Sequence, residues 1–575
     1  MSRTPARLRR RSAGTPLPRR GNSGASGPQS SAIVATGLTF WLAATPGLLL
    51  LLLWAILYAQ RSWSVLSFPF GYDYGETPEL DRAVAVAHGH LFYNFWTTPP
   101  YQMANYTPLF PLLNGLFVHY FGIQYQSGRG IAWTCGLLFC AGLGWLAWRA
   151  SGRLLPPAVT VLLWFSSHYV WDWTPLGRED ELAMLLSVAG LIIFYEGAVR
   201  RQREAAVWLA FPCFFLAMYA RQTTIEAAVA CSLYLLFKRP ALAVRFIAAL
   251  VLLSGATFAL LDAGTHGAFY LNIVTGNLNR FSWARVVFMG KQFWQYYQVA
   301  ALLAALYVLT QAALRRQQLF TLWLVLTLAV SVTVGKLGAA ENYGLLPWGA
   351  VSLAAGLGVG RLRDGADWLW RRAHGRLPLR AVALATALIA GLALLLQAQL
   401  TYRTIYYDRW TTSTFLAGAS QGLPLVVRRL TDTGWYTRLI RQEPSPPDLE
   451  GNYHNLYKAT LGLSDRQEQA ALDPLAAGTP GDVLDEDMTH TLLSGKQVYL
   501  QPFEFSEEAR AGRWDQQPLL EAIRQQRFAL VIMTYELSPQ LQIERFTPQM
   551  IEALSANYCE VSRTIHYFVY DPCAH

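Results

Sequence analysis

Apolar runs alternate with short polar connections over most of this 575-residue chain, and the alternation stops near residue 400. Between Leu38 and Gln397, runs long enough to cross a bilayer, roughly 20 residues each, recur about eleven times. The pattern predicts spans near 38–59, 129–148, 157–173, 181–198, 205–219, 225–237, 246–261, 293–314, 319–334, 345–359 and 381–397. The segment 106–121 is also apolar, but it is short and broken by Pro108 and Pro111. It is expected to lie as a helix along the membrane surface. Beyond residue 401 the character changes. Pro444 to Pro447 and Gly478 to Gly481 mark irregular connections, and short runs predict strands at 482–484, 497–500, 528–534 and 566–570 with helices at 518–526 and 548–558. The expected fold is a polytopic α-helical membrane protein with a small extracytoplasmic α/β domain at the C-terminus. The expected divisions are 1–34, 35–400 with an outer loop at 60–128, and 401–575.

Composition and charge fix the class and orient it. A hydrophobic content of 53%, a charged content of 15% and a mean hydropathy of +0.22 exclude an ordinary soluble domain. Seven arginines, from Arg3 to Arg20, fall before the first span, and no acid precedes Asp73. This reads as a disordered cytoplasmic tail followed by a retained first helix, because the run at 38–59 is too long for a signal-peptide core. With the tail inside, Arg149 and Arg153, Arg200 to Arg203, Lys238 and Arg239, Arg315 and Arg316, and Arg361 to Arg380 all fall on inner loops. The net charge of +10 is thereby explained by topology and does not point to nucleic acid. The C-terminal domain is placed outside, in a multi-pass plasma-membrane protein.

The outer ends then collect charges that topology does not require. Asp73 and Glu76 lie on a Gly/Tyr-rich turn after the first span, where a carboxylate can take a proton from a hydroxyl or hold a cation; the plain alternative is a solvated loop. Arg178 and Asp180 meet at an outer turn, either as a functional pair or as helix-end charges. Arg221 interrupts two apolar spans, where its forked donors suit a phosphate; snorkelling is the alternative. Lys336, Asn342 and Tyr343 gather at another outer end, able to contact a headgroup or sugar or to serve as aromatic-belt and capping residues. Asp485 to Asp487 read mainly as a solvated acidic turn. Cys559 and Cys573 both lie outside, where a disulfide between them can form. No His/Cys metal spacing and no phosphate-loop signature appears in a suitable context.

The order Tyr72-Asp73-Tyr74-Gly75-Glu76, Gly89 to Tyr93, Tyr106-Thr107-Pro108-Leu109, Arg129, Arg178 to Asp180, Arg221-Gln222 and Glu341-Asn342-Tyr343 resembles membrane glycosyltransferases of the GT-C superfamily. The similarity is to bacterial relatives of the protein O-mannosyltransferases and the lipid A aminoarabinose transferase, over residues 35 to 400. It implies a polyprenyl-phosphate-linked sugar donor and a lipid, glycan or protein acceptor at the outer face. Asp73 or Glu76 would be the catalytic base, since the family's adjacent Asp-Glu pair is spaced here. Arg178, Arg221 and Lys336 would hold the donor phosphate, and Tyr106, Asp180, Asn342 and Tyr343 would contact substrate, with assistance by a divalent cation left open. A transporter or flippase of lipid-linked sugars would need polar residues at mid-depth, where the spans have few. A noncatalytic assembly scaffold would make the outer acids dispensable.

Overall fold

A computed structural model describes residues 28–314, 318–372, 377–402, 463–564 and 566–574. Most of the predicted basic tail, Arg315 and Arg316, and the segment with Pro444 to Pro447 lie outside them. The first helix, α1 (Pro28–Leu66), begins inside the segment expected to be tail. It is followed by α2 (Glu76–Ala87), α3 (Leu109–Phe121), α4 (Tyr125–Ser151), α5 (Leu155–Trp164), α6 (His168–Trp173), α7 (Asp180–Ile193) and α8 (Ala205–Ala220). Then come α9 (Glu226–Lys238), α10 (Pro240–Gly264), α11 (Ala268–Ile273), α12 (Trp283–Ala313), α13 (Leu319–Val330), α14 (Leu345–Arg372) and α15 (Leu377–Tyr402).

A helix stands at each place where a span is predicted, but not all are long. Among the described residues seven are long and apolar enough to cross a membrane. The helices at 155–164, 205–220, 226–238 and 319–330 are shorter. Close packing of small residues holds the first and last helices together, as expected where lipid removes the hydrophobic drive. A methyl group on Gly391 would lie 2.1 Å from the Ala43 carbonyl oxygen, so α15 and α1 touch backbone to backbone. Around them Trp54, Trp164, Trp171, Trp323 and Trp348 are fully buried. The Trp348 indole donates to the Trp164 carbonyl at 3.0 Å, which satisfies its polar end.

The basic loops share one end of the bundle. Arg149 makes a two-pronged pair with Glu196 at 2.8 and 2.9 Å, Arg153 reaches Asp367 at 2.9 Å, and Arg245 reaches Glu204 at 3.1 Å. The polar segments carrying Asp73, Arg178, Lys336 and Asn342 meet around one cavity with the C-terminal domain. This grouping follows from the alternation of charge in the sequence.

The C-terminal domain contains α16 (Leu463–Gly478), α17 (Thr489–Leu493), α18 (Pro502–Arg510), α19 (Gln517–Arg524) and α20 (Pro548–Asn557). Its strands β1 (Asp482–Asp485), β2 (Phe528–Met533), β3 (Tyr558–Arg563) and β4 (Phe568–Pro572) form one sheet in the order β1-β2-β4-β3. β1 and β2 are parallel, and the other pairs are antiparallel. Three points differ from expectation. Residues 497–500 add no strand to this sheet; Leu500 instead bridges to Tyr101 in the segment between α2 and α3, where the Tyr101 N–H donates to the Tyr499 carbonyl at 2.8 Å. The strand β3, which the sequence reading did not anticipate, pairs with β4, and a Cys559–Cys573 disulfide ties the start of β3 to the residue after β4. Asp485 and Glu486 are buried, so they are not a solvated turn.

The domain is fused to the segment between α2 and α3 by a shared core in which Trp96, Tyr101 and Met103 pack among Phe505, Trp514 and Leu519. The Trp514 indole donates to the Trp96 carbonyl at 3.0 Å, and Gln501 accepts from the Met103 N–H at 2.8 Å. Trp96 packs edge to face on Phe505 and Tyr101 on Trp514, which joins the two parts through interlocked aromatic rings.

Candidate active site

The segment between α1 and α2 is built around Arg129, which is fully buried in α4. The end of α1 leaves carbonyls without helical partners. Arg129 Nη1 donates to the carbonyls of Val65 and Phe68 at 2.9 and 2.5 Å, and Nη2 to that of Phe70 at 2.7 Å. The same guanidinium grips Glu76 in a fork, Nε to Oε1 at 2.8 Å and Nη2 to Oε2 at 2.7 Å. The N–H groups of Gly177, Tyr72 and Asp73 add bonds at 2.8, 3.0 and 3.3 Å. Burial would raise the Glu76 carboxyl, but the Arg129 charge and these donors outweigh it and hold it below its ordinary value. Glu76 opens α2, its carboxylate taken up by five donors, and it does not line the cavity.

Asp73 is held less completely. Only its Oδ2 is engaged, accepting from the Gly75 N–H at 3.0 Å and from Arg178 Nη1 at 2.8 Å. No donor among the described residues reaches Oδ1, and Asp73 lines the cavity. Burial raises its affinity for a proton, Arg178 opposes and Glu76 adds to the rise, with a net shift upward from its ordinary value. A half-engaged carboxylate with a raised pKa is what general-base chemistry requires.

The cavity encloses about 1180 Å³ of empty space, part of it open to solvent. The expected site residues Asp73, Arg178, Tyr106, Lys336, Asn342 and Tyr343 all face it. Lys336 donates to the Asn277 side-chain carbonyl, while burial and the charge of Arg221 pull its ammonium down to about 8. Arg221 and Asp180 stand behind the wall. They form an ion pair, and Asn342 Nδ2 donates to both Asp180 oxygens at 3.2 and 3.0 Å. The Arg221 guanidinium lies 4.6 Å from the Tyr343 ring centroid and 5.9 Å from that of Tyr106, so it backs two wall residues and lines a smaller recess beyond them.

The lining residues absent from the sequence-derived site include Glu79, Arg82, Arg285, Glu504 and Arg545. Glu79 and Arg82 pair across one turn of α2, and Arg82 also donates to the Met103 carbonyl at 2.7 Å. Burial pushes the Glu79 carboxyl up to about 7 against the pull of Arg82, and among the described residues its Oε2 has no hydrogen bond. A helical reading of 76–87 would have placed both on one face. Arg285, Glu504 and Arg545 come from distant segments with no local signal. The wall thus carries the cations Arg82, Arg178, Arg285, Lys336 and Arg545 around a few carboxylates. A mainly apolar groove meets it at Glu341 and Tyr343, lined by Met289, Phe293, Leu328, Val332 and Pro347. Among the described residues no group of three or more His, Cys, Asp or Glu is arranged to hold a metal ion.

Neither a protein-family model nor a curated protein sequence matches the chain. Solved structures do. ArnT from Cupriavidus metallidurans in the apo state superposes with a TM-score of 0.52 at 15% identity, covering 90% of this chain and 97% of that one. The same protein bound to undecaprenyl phosphate gives 0.50 at 16% identity with the same coverage. An oligosaccharyltransferase from Archaeoglobus fulgidus, in complex with zinc and sulfate, is more distant, at a TM-score of 0.42 and 13% identity over 84% of this chain and 67% of that one. The chain shares the fold of ArnT over nearly the whole length of both.

Proposed function

We propose that this protein transfers a sugar from a polyprenyl-phosphate-linked donor to a hydroxyl or amine acceptor at the outer face of the membrane. The observation that carries the proposal is Asp73, with one oxygen anchored by Arg178 and the other unengaged in a cavity walled by cations. The contiguous apolar groove suits the first isoprene units of a lipid carrier, and the neighbour solved with undecaprenyl phosphate supports that class of donor.

In the proposed reaction Asp73 takes the proton from the acceptor as its oxygen or nitrogen attacks the anomeric carbon of the donor sugar. The bond from that carbon to the phosphate oxygen breaks, and the carrier phosphate departs with the electron pair. Arg178, Lys336, Arg82 and Arg285 offer donors to the growing charge, in a site where partial exclusion of water strengthens each contact. Arg221 acts from behind, setting Tyr106 and Tyr343. Glu76 holds the loop and takes no proton. The basic end of the bundle lies in the cytoplasm, and the C-terminal domain lies outside in a multi-pass plasma-membrane protein; the Cys559–Cys573 disulfide fits an oxidising compartment.

The test is mass spectrometry of envelope glycolipids, glycans and glycoproteins from cells lacking the protein, complemented with wild type or Asp73→Asn. A sugar lost in the deletion should return with wild type only. Full restoration by Asp73→Asn would refute the role of the base. An unchanged envelope in the deletion would favour a scaffold.

A further inference from the structure

Tyr74 follows Asp73 directly; it lines the same cavity, and its hydroxyl meets the C-terminal domain. Its hydroxyl donates to Glu504 Oε2 at 2.8 Å and accepts from the Phe503 N–H at 3.0 Å. The Arg545 guanidinium lies 4.3 Å from the Tyr74 ring centroid. Arg545 is in turn fixed by Glu486 at 3.1 Å, and Glu486 accepts from the N–H and hydroxyl of Thr534 at 2.6 and 2.7 Å, just past the end of β2. The same loop is held a second time. A methyl group on Gly71 would come 2.4 Å from the Thr489 hydroxyl, and that hydroxyl lies within 3.3 Å of the Tyr125 hydroxyl, which contacts Thr77 at 2.9 Å. Contacts this dense are more than tethering requires, since the aromatic junction at Trp96 and Tyr101 already joins the two parts.

We infer that the C-terminal domain positions the catalytic base, with Glu504 and Arg545 clamping Tyr74 so that Asp73 is held at the reacting centre. The inference rests on the sugar-transfer reading and adds to it a role for a domain that carries no catalytic group. Asp73 is then braced from two sides: Arg178 fixes its Oδ2 from the bundle, and Tyr74 fixes its backbone from the sheet. The free Oδ1 stays within reach of the acceptor because neither brace occupies it. Small misplacement of a base costs rate steeply while leaving ground-state contacts almost intact. The clamp therefore acts on turnover and not on hold of the lipid carrier.

The experiment uses full-length protein, purified and added to membranes from cells that lack it. The glycan missing from those membranes is followed over time, and affinity is measured separately with undecaprenyl phosphate as the probe. Tyr74→Phe keeps the ring beneath Arg545 and loses the hydroxyl; Glu504→Ala removes the partner from the other domain and keeps the test open should the first variant unfold. Each should slow turnover about tenfold, the effect of one charge-assisted hydrogen bond. The double variant should be no slower than either single one, since both remove the same contact. Glu504→Gln, which still accepts from the phenol, should recover most of the rate. Undecaprenyl phosphate affinity should stay within about twofold throughout, a split that a general loss of structure would not give. Wild-type turnover in both single variants beside an inactive Asp73→Asn would overturn the clamp alone. Losses that multiply in the double variant, or that follow the carrier affinity, would also overturn it. Wild-type turnover in Asp73→Asn would remove the sugar-transfer reading, and the clamp with it.

Discussion

Replacing Glu76 by glutamine should unfold the protein far more readily than replacing Asp73 by asparagine, although the two carboxylates are three residues apart. Glu76 is 1% exposed and accepts from five donors, two on Arg129 and three backbone N–H groups. A glutamine has one accepting oxygen, and its amide would face donors where the second carboxylate oxygen stood. Arg129 would be left buried with its charge uncompensated, while still holding the carbonyls of Val65, Phe68 and Phe70. Breaking a buried pair in this way costs about 3–5 kcal/mol. Asp73→Asn keeps an oxygen for Gly75 and Arg178 and turns its amide toward the cavity, so its cost should stay near 1 kcal/mol. Thermal unfolding of the purified proteins in detergent reads the difference. On a chain of this length Glu76→Gln should lower the midpoint by about 2–4 °C and Asp73→Asn by about 1 °C or less. Equal midpoints, or a wild-type midpoint for Glu76→Gln with its activity lost, would return Glu76 to the chemistry and refute the division of labour.

Other perturbations separate the remaining roles. Arg178→Ala removes the charge that opposes the rise in the Asp73 pKa, so the acid limb of the rate profile should move to higher pH, with a loss of tenfold or more in donor use, about 1.5–3 kcal/mol; an unmoved limb in the pH profile would contradict it. Glu79, whose carboxyl burial lifts to about 7, binds a proton more tightly folded than unfolded, so this group withdraws stability as pH rises from its ordinary value of 4.5 through 7. Unfolding midpoints of Glu79→Gln should therefore depend less on pH across that window, and an identical pH slope would count against it. For topology, a cysteine at the exposed position Glu521 should react with an impermeant reagent in intact cells, and one at Ser26 only after permeabilisation; the reverse pattern would invert the assignment.

The positions of the helices could be read from the sequence because each apolar run is bounded by arginine or a polar turn, and the physics that sets those boundaries is local. Some lengths were less legible. The helices at 205–220 and 226–238 follow their predicted runs closely, whereas α1, α10 and α14 extend well past the apolar stretches at 38–59, 246–261 and 345–359, and the run at 157–173 is divided into α5 and α6. The residue types of the site were visible at Asp73, Arg178, Lys336 and Asn342 because charged groups at the outer ends lack a topological reason. Their roles were not, because the difference between Glu76 and Asp73 lies in Arg129, a cation 53 residues from Glu76 whose reach to α1 appears only in three dimensions. Glu504 and Arg545 were beyond sequence reading altogether. Nothing in their local pattern indicates that a strand-end loop network 430 residues away would grip Tyr74.

The most direct measurement is release of undecaprenyl phosphate from an undecaprenyl-phosphate-linked sugar by purified protein in the presence of acceptor membranes, comparing wild type with Asp73→Asn at matched folded concentration. A positioned general base contributes about 10²–10⁴-fold, so the variant should fall by at least the lower figure while unfolding at nearly the wild-type temperature. Equal rates of release from the two proteins would contradict the account at its centre.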